Sequence, residues 1–254
     1  MALISDLVSA IAEAEGIPEA TVNLIARFTR EAGYLSTGAR GRNAPRATVR
    51  DCANLLIAVN GSGCVVKDAP KVIDGFRNLL CHAPHGVREV RPGLGVEYGP
   101  IEPDELRFLD RHGSTTFGEL LESVIDRFIG RELEMFMMGE AAKYLGDNFV
   151  KRSAEELGDN HVALAQRIAA ACKSHLNLGT VAFTIEFRRP NPGASITIDR
   201  SMLGNRELIA GVSFITNTDD LAAGRIKHVD GDRRERTTIG YRTLSAIAHV
   251  MRQS

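Results

Sequence analysis

Six arginines, Arg27, Arg30, Arg40, Arg42, Arg46 and Arg50, fall between Ile17 and Arg50, against a single acid beyond that window's first turn, Glu31. The chain of 254 residues has a net charge of −1, so this positive charge is concentrated rather than shared out. Arginine offers a planar fork of donors that matches phosphate and the edge of guanine. Glu19, Asn23, Arg27 and Arg30 follow at steps of four, four and three, which puts them on one face of a helix. On that face Asn23 can pair with adenine, and Arg27 or Arg30 with guanine or phosphate. Glu19 can accept from a cytosine amine or stabilise the positive start of the helix. Arg40, Arg42 and Arg46 lie in TGARGRNAPRA, a flexible stretch suited to the phosphate backbone or the minor groove. The expected partner is double-stranded DNA.

These residues need a scaffold. Ser5 to Glu15 reads as a first helix, capped by Ser5, striped by Leu7, Val8, Ile11 and Ala14, and ended by Gly16. Pro18 suits the first turn of a second helix running to about Ala32, with Gly33 as its stop and Val22, Ile25, Ala26 and Thr29 toward the core. Tyr34 to Ala47 has the make-up of an exposed loop or small β-wing. Thr48 and Asp51 form a capping box for a third helix, Val49 to Val59, with Arg50 as a flank. The spacing of turn residues sets a domain boundary at about residues 62 to 66. Residues 1–64 are then a helix-turn-helix domain with a basic wing. Residues 65–254 are an α+β domain for dimerisation or partner contact.

In that second part, Asp68 to Cys81 reads as helical and His82 to Gly113 as largely irregular. Thr116 and Glu119 cap an amphipathic helix to about Ile129. Helices are expected at about Glu132 to Leu145 and Ala154 to Leu176. From Gly179 the pattern alternates: TVAFTIEFRR, a Pro190-Asn191-Pro192-Gly193 turn, ASITIDR, then Leu208 to Thr216 and Arg236 to Tyr241. Thr243 to Met251 closes as a helix. The expected class is α+β, an N-terminal winged helix-turn-helix followed by a mainly helical part with a small antiparallel sheet.

Other constellations point to no chemistry of their own. Cys81-His82-x-x-His85 lacks the partner pairs of a structural zinc site, so no metal is expected. Met135, Met137 and Met138 beside Phe136 read as core or dimer interface. Gly93-x-Gly95 opens no strand-to-helix unit, and Asp230-Gly231-Asp232 lacks the other ligands of a calcium loop. Arg233, Arg234 and Arg236 read as a solvated turn. No GxSxG, HExxH or Walker sequence occurs, so no catalytic residue, cofactor or enzymatic activity is expected. The N-terminus has no basic region of a signal peptide, and no apolar run approaches the roughly 18 residues of a membrane span. Cys52, Cys64, Cys81 and Cys172 are scattered, as in a reducing cytoplasm.

The segment from Ser5 to Val59, above all REAGYLSTGARGR and RDCANLLIAV, resembles the N-terminal region of winged helix-turn-helix regulators. It is also similar in style to proteins of alphaproteobacterial prophage and gene-transfer-agent regions. The resemblance covers about the first 60 residues and implies a cytoplasmic, sequence-specific transcription regulator, nucleoid-associated when bound. A homodimer, with a possible partner transcription protein, follows from the limited specificity of one short reading helix. The alternatives are a DNA-packaging protein like a small terminase, a replication-accessory protein, and an enzyme or ligand sensor in the C-terminal part. One departure from the family is that two helices, not three, precede the wing.

Overall fold

The computed structural model describes residues 2–38, 46–63, 65–91, 95–99, 101, 104–109, 115–202, 205–216 and 235–253, with backbone alone for 82–91, 95–99, 202 and 205. The fold is α+β. Its helices are α1 (Ile4–Glu15), α2 (Glu19–Glu31), α3 (Val49–Gly61), α4 (Ala69–Arg77), α5 (Phe117–Ile129), α6 (Glu132–Ala142), α7 (Asp147–Leu157), α8 (His161–Asn177) and α9 (Tyr241–Arg252). Its strands are β1 (Leu80–Arg91), β2 (Gly95–Gly99), β3 (Val181–Arg189), β4 (Gly193–Met202), β5 (Asn205–Ile215) and β6 (Glu235–Gly240). They form one antiparallel sheet in the order β2-β1-β5-β4-β3-β6.

Alternation decides which face of the sheet is covered. Val181, Phe183, Ile185 and Phe187 of β3 are buried, while Ala182, Thr184, Glu186 and Arg188 between them are half-buried. The buried face meets α5 through rings. Phe117 lies 5.6 Å from Phe187 and 5.3 Å from Phe214, and Phe128 lies 5.4 Å from Phe183. Edge-on geometries at these separations add to simple burial.

The hub of the helical layer is α3, in which every residue from Asp51 to Gly61 is buried. A helix apolar nearly all round belongs inside. It packs on α4, α5, β3 and β6, while α1 packs on α9. The turn at residues 62–66, where a boundary is expected, therefore lies beside a core that continues on both sides of it. At that turn a Cβ on Gly61 would come 2.3 Å from Val72 Cγ1 and 3.1 Å from Phe76 Cε2. Overpacking of this kind costs about 1–3 kcal/mol. Gly61→Ala is thus expected to lower the urea midpoint, and an unchanged midpoint would show that α4 moves aside freely.

Several expectations need correction. Ser5 does not cap α1; Leu3 precedes the helix and the Asp6 carboxylate accepts from its N–H at 2.9 Å. The expected helix from Ala154 to Leu176 is two, broken at Gly158 (φ +54°) and restarted by Asn160, whose side chain accepts from the Ala163 N–H. The stretch read as irregular holds β1, β2 and a short 3-10 turn, Asp104–Leu109. β1 carries register shifts at Cys81/Ala83 and Val87/Glu89 that break its period.

Candidate nucleic-acid interface

α2 has two sharply different sides. Val22, Ile25, Ala26 and Thr29 are buried, and the Thr29 hydroxyl is satisfied internally, donating to the Ile25 carbonyl at 2.8 Å. Glu19, Asn23, Arg27 and Arg30 are all exposed, as their spacing predicts. Two left-handed glycines set the ends. Gly16 (φ +68°) lets the Ile17 N–H reach the Ala12 carbonyl at 3.0 Å, and Gly33 (φ +83°) lets the Tyr34 N–H reach Thr29 at 3.0 Å. The first closes the tight turn from α1 to α2.

The charges on this face are available. Arg27 Nε pairs with Glu31 Oε1 at 2.7 Å, with both side chains mostly in solvent. Such exposed pairs are worth little, about 0–1 kcal/mol, and phosphate can displace them. Arg30 has no ion pair among the described residues. Leu24 is 43 % exposed beside Asn23. A polar stripe read at steps of four and three passes it by, although an apolar side chain there suits a thymine methyl.

The loop after α2 is closed at its base by one carboxylate. Asp51, 2 % exposed, accepts from the Ser36 N–H at 2.7 Å and the Ser36 hydroxyl at 2.8 Å. It also accepts from the Thr48 N–H and hydroxyl, both at 2.8 Å. The expected capping box is present, with the Asp51 N–H donating to Thr48 Oγ1 at 3.1 Å. Ser36 and Thr48, the residues where the loop leaves and returns, are thus held together. Its return arm lies along the start of α1 through a Leu3–Arg46 antiparallel bridge and an Ala47 N–H to Ala2 carbonyl bond of 2.9 Å. Arg46 and Arg50 are exposed, whereas Arg40 and Arg42 lie outside the described residues.

A part-buried polar relay starts from Tyr34. Asn54 donates to the Tyr34 carbonyl at 2.7 Å and accepts from Arg77 at 2.7 Å, and Arg77 pairs with Glu122 at 2.5 Å. The Tyr34 hydroxyl donates to Asp74. The segment after α2 is therefore joined to α3, α4 and α5 by polar as well as apolar contacts. Burial, with the nearby Asp51 charge, pushes the Cys52 thiol up to about 12, so it is a poor nucleophile.

Among the described residues no group of three or more His, Cys, Asp or Glu side chains could hold a metal ion. The His82 and His85 side chains, Cys64, Gly93, and Asp230 to Arg234 lie outside the described residues, and Arg236 is exposed 3.6 Å from Glu186. Met137 is buried, Met138 half-buried and Met135 exposed. No described helix is long and apolar enough to cross a membrane. Comparison with protein-family models, with curated proteins and with solved structures found no match.

Proposed function

We propose that this chain is a sequence-specific, double-stranded DNA-binding regulator of the winged helix-turn-helix kind, acting as a homodimer on phage-like genes. The observation that carries the reading is α2 itself. One face is anchored in the core, and the other holds out Glu19, Asn23, Arg27 and Arg30, while Asp51 ties together Ser36 and Thr48, which flank the arginine-rich segment. In the major groove Asn23 reads adenine, Leu24 meets a thymine methyl, and Arg27 and Arg30 read guanine or hold phosphate. Arg40, Arg42 and Arg46 act as the wing on the backbone. The two parts have separable signatures.

Replacing Arg27 and Arg30 together by Ala is expected to weaken specific binding by about 10- to 1000-fold, since a bidentate base contact is worth about 1–3 kcal/mol. The melting temperature should hardly move, because both side chains are exposed. Replacing Arg40 and Arg42 should lower the salt slope by about two, because each phosphate contact releases roughly one counterion. Fluorescence anisotropy on selected and scrambled duplexes across a salt series checks both. Equal affinity of the wild-type chain for both duplexes would remove the sequence-specific reading.

A further inference from the structure

α8 presents a stripe that no other part of the described chain covers. Val162, Gln166, Ala169 and Lys173 recur at steps of four, three and four, which keeps them on one side of the helix. Val162 is 69 % exposed, Gln166, Ala170 and Lys173 are exposed, and Ala169 is half-buried. The inward side of the helix carries Ile168, packed against the core, and the buried Cys172. Small residues at the middle of the stripe allow another helix to come close.

The two ends of the stripe differ in charge. Asp159, exposed just before the helix, has no ion pair among the described residues. Lys173 and Arg131, at the other end, have none either. They flank an open cleft of about 670 Å³ between α6, α8 and α9, with Met135 and Met138 in its lining. Met135 is 71 % exposed, and methionine beside arginine is a composition favoured at protein interfaces.

We infer that α8 is the interface between two copies of this chain, packed antiparallel about a two-fold axis at Gln166. The charge order along the stripe demands this occupant. An antiparallel copy sets Asp159 against the partner's Lys173, and Lys173 against the partner's Asp159. The same symmetry seats Val162 on the partner's Ala170 and brings the two Gln166 amides together, where each both donates and accepts. The acidic start of the partner's α8 then enters the cleft lined by Met135 and Arg131. This inference rests on the homodimeric reading above and makes no use of DNA.

Light scattering after size exclusion on the full chain is expected to give a dimer. Lys173→Glu alone, and Asp159→Lys alone, should each weaken it on the order of 100-fold, because each puts like charges opposite each other twice. Mixed together, the two variants should form a one-to-one heterodimer, since one then supplies both cations and the other both anions. Gln166→Cys in a Cys64→Ser background should cross-link to a dimer on mild oxidation. Asp159, Gln166 and Lys173 are exposed, so circular dichroism should stay that of the wild type. A monomeric wild-type chain would overturn the dimeric reading and the interface together. A wild-type dimer that tolerates Lys173→Glu and does not cross-link through Gln166→Cys would overturn the interface alone.

Discussion

Asp51→Ala is expected to destabilise the fold by about 1–3 kcal/mol, because it removes the one carboxylate that accepts from four part-buried donors. The carboxylate serves the N–H and hydroxyl of both Ser36 and Thr48 and is itself 2 % exposed. It also sits in the first turn of α3, where a negative charge is favoured by the helix. Asp51→Asn should recover only part of the loss, since its amide group would face donors rather than accept from them. Urea unfolding measures the stability. Trypsin cutting after Arg40 or Arg42 reports whether the loop base has opened, and should be faster in both variants. A loss below about 1 kcal/mol would mean that water replaces the carboxylate at little cost.

Stability should fall as pH rises from about 4.5 to about 7, and Glu15 is the cause. Burial raises its carboxyl from the ordinary 4.5 to about 7, against a smaller opposing effect from Asn60, whose side chain donates to it at 3.3 Å. Below 4.5 the group is protonated in both folded and unfolded chains, and the fold loses nothing. Between the two values the unfolded chain ionises while the folded one keeps its proton, so each pH unit removes about 1 kcal/mol. Above 7 the full effect is present, roughly 2–3 kcal/mol. Glu15→Gln keeps an acceptor for Asn60 and carries no charge. It should flatten the profile across this window and raise stability at pH 8 by about 2 kcal/mol. Parallel pH profiles for the two proteins would refute the assignment.

What was legible in the chain was whatever a short window contains. The Thr48–Asp51 and Thr116–Glu119 boxes start α3 and α5 where expected. The alternation of β3 and β4 and the turn between them are plain in the residues. The exposed side of α2 follows from its period. What a window cannot contain stayed hidden. Ser36 lies fifteen positions from Asp51, so the same residue that caps a helix gives no sign that it also shuts a loop. β1 was masked by Pro84, by Gly86 and by its register shifts, although it lies between β2 and β5. The start of α3 is plain in its capping box, but burial of its run CANLLIAVNG on every side depends on α4, α5 and the sheet, which lie far along the chain. The Gly158-Asp159-Asn160 break was readable as a stop and a cap, but the helical propensity on either side outweighed it.

The packing of α1 on α9 has a consequence for the newly made chain. Leu7, Val8 and Ile11 leave the ribosome long before α9, which packs on their helix and begins only at Tyr241. Until α9 is made, α1 lacks that contact, and its apolar stripe offers a binding site to chaperones and proteases. Quality control can therefore act on α1 and is relieved once α9 docks. A chain stalled before Tyr241 would be recognised by an α1 that α9 has not yet reached.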